Sequence, residues 1–100
     1  MQEVAPSAAF DRLGTAQFVD VREDSEVTGG MIPGAFHIPL GQLGARLAEL
    51  DPARETITVC RSGKRSLTAA QTLEDAGFTV ASMQGGMNEW SSQNRPTALP

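Results

Sequence analysis

A single cysteine, Cys60, is all the thiol this chain has. No internal disulfide can form, and a zinc site built from cysteines alone is excluded. Lysine is equally scarce, with Lys64 the only one. Acidic residues outnumber basic ones by 12 to 8, for a net charge of -4, so the broad basic face that general nucleic-acid binding requires is missing. No apolar run approaches the roughly 20 residues that cross a bilayer, and neither a nucleic-acid nor a membrane partner is expected. The opening Met1-Gln-Glu-Val-Ala-Pro lacks the basic patch and apolar core of a signal peptide. Together with a lone cysteine kept reduced, these absences lead to the expectation of a cytoplasmic protein.

What is present is ordinary for a folded domain. Apolar residues make up 40% of the chain and charged residues 20%, a globular and not a disordered composition. A length of 100 residues suits one compact unit. Residues 1–93 are expected to form that unit, and the polar, proline-containing stretch 94–100 to be a flexible tail. A short strand is expected at Val4, then a helix from Pro6 to about Leu13 capped by Ser7. Gln17 to Arg22 reads as a buried strand, and 23–35 as an acidic, glycine-rich loop. Phe36 to Pro39 is a short extended piece. Gln42 to Leu50 reads as a helix presenting Leu43, Leu47 and Leu50 on one face. Glu55 to Cys60 is β-branched and strand-like. Ser66 to Ala76 has the clearest helical spacing, with Gly77 as its stop. A strand over Phe78 to Met83, a Gly85-Gly86 turn and a last helix from Met87 to Ser92 complete the pattern. Such alternation predicts an α/β domain with a largely parallel sheet covered on both faces. Reactive groups in these sheets lie beyond the carboxyl ends of strands, where Cys60 falls.

Three of the eight basic residues crowd directly after Cys60: Arg61, Lys64 and Arg65. A strand-to-helix turn of this kind can aim successive backbone N–H groups inward as an anion nest. The following helix adds its positive end, and Gly63 permits the tight turn. The sequence predicts that these N–H groups and the three cations favour the thiolate of Cys60, and that Arg61, Ser62, Gly63, Lys64 and Arg65 bind an anionic substrate. A structural, buried cysteine is the plainer alternative, but it leaves the cations unexplained.

Four segments in order carry a resemblance to the rhodanese family, over about Val4 to Trp90: Phe18-Val-Asp-Val-Arg-Glu23, Gly30-Met-Ile-Pro-Gly-Ala-Phe-His-Ile-Pro39, Val59-Cys-Arg-Ser-Gly-Lys-Arg-Ser66 and Gly85-Gly-Met-Asn-Glu-Trp90. The resemblance implies a rhodanese-like fold with a parallel five-stranded sheet flanked by helices. It implies a catalytic Cys60 that carries sulfane sulfur as a persulfide, taken from thiosulfate or another persulfide and passed to cyanide or a thiol. It calls for no cofactor and no metal. Sulfurtransferases of this kind have a six-residue loop, here Cys60 to Arg65. Related phosphatases have one residue more and an arginine six positions after the cysteine, which here is Ser66. The family often has His where this chain has Met31, a matter of packing. By resemblance Asp20 and Arg22 support the site, Asp20 accepting backbone hydrogen bonds and Arg22 pairing with an acid such as Glu26. His37, the only histidine, is expected to bond backbone and not to act as a base, and Trp90 to lie in the core. Competing functions are a sulfur-delivery module serving a protein donor or acceptor, a phosphatase or arsenate reductase, and an inactive docking domain.

Overall fold

A computed structural model describes all of residues 1–100. Five strands form one sheet: β1 (Gln2–Val4), β2 (Gln17–Asp20), β3 (Phe36–His37), β4 (Thr56–Val59) and β5 (Val80–Met83). Their order is β1-β5-β4-β2-β3 and every pairing is parallel. Parallel neighbours need crossovers, and the four here run through α1 (Pro6–Phe10), α2 (Asp24–Val27), α3 (Leu40–Leu43) and α4 (Arg65–Asp75), while α5 (Gly86–Ser92) follows the last strand.

Alternation along the central strands divides the core into two layers. Phe18, Ile57 and Val59 face one side with Met83, Met87 and Trp90. Val19, Val21 and Cys60 face the other with Leu43, Ala69, Ala70 and Leu73. Neighbouring residues of a strand point to opposite faces, so the step from Val59 to Cys60 carries the thiol across to the α4 side. Both faces are covered, which is why β2 and β4 are buried along their whole length. No helix is long and apolar enough to cross a membrane.

Several local elements differ from those the sequence suggests. The first helix stops at Phe10 and has Ala5 at its N-cap, with Pro6 in the first turn and no side-chain cap from Ser7. Proline suits that position because the first N–H has no helical partner. The expected leucine-faced helix is broken in two, an α3 turn ending at Gly44 and a 3-10 turn over Leu47–Glu49. Gly41 and Gly44 weaken a continuous helix there. Leu43 and Leu50 are still buried, while Leu47 is half-buried. Within the acidic loop lies α2, closed by a reciprocal cap between Glu23 and Glu26. The stretch from Asn94, expected as a loose tail, reaches back over the domain. Met31 and Ala98 exchange two backbone hydrogen bonds of 2.8 Å, and the Trp90 indole N–H donates to the Pro96 carbonyl at 2.7 Å.

Candidate active site

Cys60 ends the β4 run, and the chain then turns through Arg61 to Lys64 into α4. Two features hold this turn open toward the sulfur. From outside, the first free N–H groups of α5 take the carbonyls of the turn: Met87 N–H donates to Cys60 O at 2.8 Å and Asn88 N–H to Arg61 O at 3.0 Å. With those carbonyls drawn outward, the N–H groups of the turn face in. Gly63 N–H donates to Cys60 Sγ at 3.1 Å. Gly63 has φ +100°, and a Cβ there would come within 3.1 Å of Gly85 N. Glycine is therefore required by conformation and by close approach.

Behind the sulfur lies a buried chain of hydroxyls. Ser66 Oγ is 3.5 Å from Cys60 Sγ, and Ser82 donates to Ser66 Oγ at 2.7 Å. Thr58 Oγ1 donates to the Ser66 carbonyl at 2.8 Å. Ser66, Ser82 and Thr58 are all essentially inaccessible to solvent. Because Ser82 supplies a proton to Ser66, the Ser66 hydroxyl is free to donate to a thiolate. Burial pushes the Cys60 thiol up, but hydrogen bonds from the Ser66 side chain and from the backbone of Ser66, Gly63 and Ser62 outweigh it, and the thiol titrates below its ordinary value.

The loop cations divide into one that is paired and two that are free. Arg65 forms a two-pronged pair with Glu26, at 2.6 and 2.8 Å, and its charge also acts on Cys60. This pair ties the start of α4 to α2 across 39 positions of sequence. The Arg65 hydrogen bond lowers the Glu26 carboxyl to about 2, against the opposing effect of burial. Arg61 and Lys64 are exposed and form no ion pair. The thiolate is therefore favoured by short-range hydrogen bonds, while the two free cations stand at the rim. Ser62 is exposed and contributes its backbone.

Arg22 pairs with Asp20 and not with the Glu26 carboxylate. Its guanidinium grips both Asp20 oxygens at 2.8–3.1 Å and donates to the carbonyls of Glu26 and Gly30. Asp20 also accepts from Arg22 N–H at 3.1 Å. This buried pair stiffens the β2 exit, whose carbonyl at Arg22 contacts His37 Nε2 at 2.8 Å. Cys60 itself is only 1% exposed, deeper than a freely open thiol. A partner must reach a sulfur at the base of the loop. Beside the loop runs a groove of about 400 Å³ lined by Arg22, Glu26, Arg61, Met87, Asn88 and Ser91.

Ser82 had no role in the sequence reading, and Glu26 entered it only as a partner for Arg22. Each acts through a contact far along the chain, and only Ser66, next to the loop, lay within the motif. No group of three or more His, Cys, Asp or Glu side chains is placed to hold a metal ion.

Comparison with known proteins gives the same frame from outside. A sulfurtransferase of Allochromatium vinosum is 34% identical over 104 aligned positions, covering 100% of this chain and 97% of that protein. The thiosulfate sulfurtransferase GlpE of Shewanella oneidensis is 35% identical over 81 positions, 80% of each chain. The crystal structure of a rhodanese-like domain protein from Staphylococcus aureus superposes with a TM-score of 0.90 at 27% identity, covering 100% of this chain and 99% of that one. The family model for the rhodanese-like domain matches residues 6–93. The likeness runs along nearly the whole chain, in sequence and in fold, and the chain belongs to the rhodanese-like domain family.

Proposed function

We propose that the protein transfers sulfane sulfur through a persulfide on Cys60, with thiosulfate or a small persulfide as donor and a thiol or cyanide as acceptor. In the first half-reaction the Cys60 thiolate attacks the outer sulfur of thiosulfate. The sulfur–sulfur bond of the donor breaks, and its electron pair leaves with sulfite. In the second, an acceptor thiolate attacks the outer sulfur of the Cys60 persulfide, the new bond forms on the acceptor, and the electron pair returns to Cys60 Sγ. Arg61 and Lys64, unpaired at the rim, suit attraction of the anionic donor and release of sulfite. Asp20 and Arg22 hold the neighbouring strand end.

The observation that carries this reading is the group six positions after the cysteine. It is the buried Ser66 hydroxyl, 3.5 Å from Sγ, where a phosphatase would need a guanidinium to grip phosphate. A loop closed this tightly around its sulfur, with Gly63 N–H at 3.1 Å, suits a charge on sulfur more than a bound oxyanion. The lone thiol supports it as well: no second cysteine can discharge the persulfide internally, so the acceptor comes from outside.

The test is intact-protein mass spectrometry. Thiosulfate should add the mass of one sulfur atom, cyanide should remove it, and Cys60→Ser should do neither. Full sulfurtransferase turnover by Cys60→Ser would overturn the mechanism.

A further inference from the structure

The groove beside the loop has a chemical character that the sulfur-transfer steps do not require. Of its charged groups, Arg22 is consumed by Asp20 and two carbonyls. Glu26 is consumed by Arg65. Arg61 is left as a guanidinium with no ion partner. Opposite it, Asn88 and Ser91 stand three residues apart on α5, so they share one face. Both are exposed and neither side chain makes a hydrogen bond within the protein. Met87 supplies the one apolar surface. The groove thus offers a free cation, an amide and a hydroxyl around a thioether.

Its position is fixed by the loop. Arg61 is the residue after Cys60, and the N–H groups of Met87 and Asn88 bond the Cys60 and Arg61 carbonyls. A molecule lying in the groove is held next to the site of sulfur transfer. Its volume of about 400 Å³ equals roughly a dozen waters at about 30 Å³ each. That is within the range of small-molecule sites and far more than two-atom cyanide occupies.

We infer that this groove selects the acceptor, and that it selects a small thiol of amino-acid or peptide type, its carboxylate on Arg61 and its amide groups on Asn88 and Ser91. This rests on the persulfide reading of Cys60 and deepens it. A guanidinium binds a carboxylate through paired N–H donors, while Asn and Ser complement an amide with both donors and acceptors. Donor and acceptor visit in turn, so Arg61 can serve thiosulfate in one half-reaction and the carboxylate in the other. The step is balanced as written: an acceptor thiolate and the protonated Cys60 persulfide give the acceptor persulfide and the Cys60 thiolate, with the proton staying on the transferred sulfur.

The acceptor half-reaction can be isolated. Protein loaded with sulfur and freed of donor is mixed with N-acetylcysteine or with its C-terminal amide, and rate constants are expressed per thiolate. The wild type should prefer the carboxylate. In the double variant Asn88→Ala/Ser91→Ala the rate with either compound should fall about tenfold relative to 2-mercaptoethanol, which has no amide to lose. Arg61→Gln should remove the preference for carboxylate over amide. Equal rates for the two compounds in the wild type, or unchanged ratios in the variants, would overturn the inference. A separate arm uses S-methyl-N-acetylcysteine, which has no thiol, and follows the Asn88 side-chain amide by nuclear magnetic resonance. Failure to load sulfur would refute the persulfide reading alone. The groove would then stand or fall on a saturable shift at Asn88, and its absence would refute it.

Discussion

Gly86 is the position at which a single methyl group should do most damage. It has φ +55°, and a Cβ there would lie 2.4 Å from Cys60 O and 2.6 Å from Arg61 C and O. Ordinary contact begins near 3.4 Å, so α5 and the loop must part by about 1 Å. Both are backbone, and neither can swing aside as a side chain would. Gly86→Ala therefore adds left-handed strain of about 1–2 kcal/mol. It also breaks the bonds from Met87 N–H and Asn88 N–H, at about 1 kcal/mol each. The sum is roughly 3–4 kcal/mol, a large share of a stability of about 5–15 kcal/mol. Gly34→Ala is the control. It too has a positive φ, +80°, but a Cβ there meets nothing within 4 Å, so only the strain of about 1–2 kcal/mol applies. At roughly 4–8 °C per kcal/mol for a domain of this size, Gly86→Ala should melt at least about 8 °C below Gly34→Ala. Its kcat/KM for sulfur transfer should fall about 100-fold, as a 1 Å misplacement of reacting groups can cost, while Gly34→Ala keeps most of its activity. Calorimetry and a thiosulfate–cyanide assay read both quantities. Equal melting temperatures and equal activity in the two variants would refute the argument that α5 sets the shape of the loop.

Other outcomes follow from the same contacts. Ser66→Ala should move the pH profile of Cys60 alkylation upward, because it deletes a hydrogen bond to the thiolate, and Ser82→Ala should move it the same way by less; an unmoved profile in Ser66→Ala would show that backbone N–H groups act alone. The Glu26 carboxyl is lowered from an ordinary value near 4.5 to about 2 by Arg65, so its stabilisation is fully present above pH 4.5 and is lost as pH falls toward 2. Glu26→Gln should therefore destabilise the protein at neutral pH and flatten its acid melting curve over that window; parallel curves for variant and wild type would contradict the pair. The wild type should release nitrophenol from its phosphate ester no faster than Cys60→Ser, and Cys60-dependent hydrolysis would contradict the reading of loop length.

The strands and the reactive loop were legible because their signals are local. β4 announces itself by four residues of alternating Thr and aliphatic type, and the turn by a glycine among cations. The α4 helix was visible from Ala69, Ala70 and Leu73, which fall on one face. What stayed hidden is what the fold brings together. Nothing near Arg65 in sequence reveals that it pairs with Glu26 as well as acting on Cys60. Glu23 and Glu26 look like solvated acids in a loop, although their three-residue spacing is that of a reciprocal cap. Ser82 lies in a strand where a small polar residue carries no message until β5 is laid beside β4. The leucines at 43, 47 and 50 misled because helical spacing outweighed Gly44 between them and Gly41 just before.

The hydrogen bonds around Cys60 are drawn from the whole length of the chain, and this has a consequence for the newly made protein. Ribosomes deliver residues in order, so Glu26 emerges before Cys60, but Ser82, Met87 and Asn88 emerge after it. Until β5 and α5 are in place, Ser66 lacks its donor Ser82 and the Cys60 and Arg61 carbonyls lack theirs. The cysteine of an unfinished chain is then an ordinary thiol, mostly protonated at neutral pH. Thiolate chemistry switches on only with completion of the domain. A protein with one irreplaceable sulfur thus keeps it least reactive during the interval when nothing yet shelters it from oxidants.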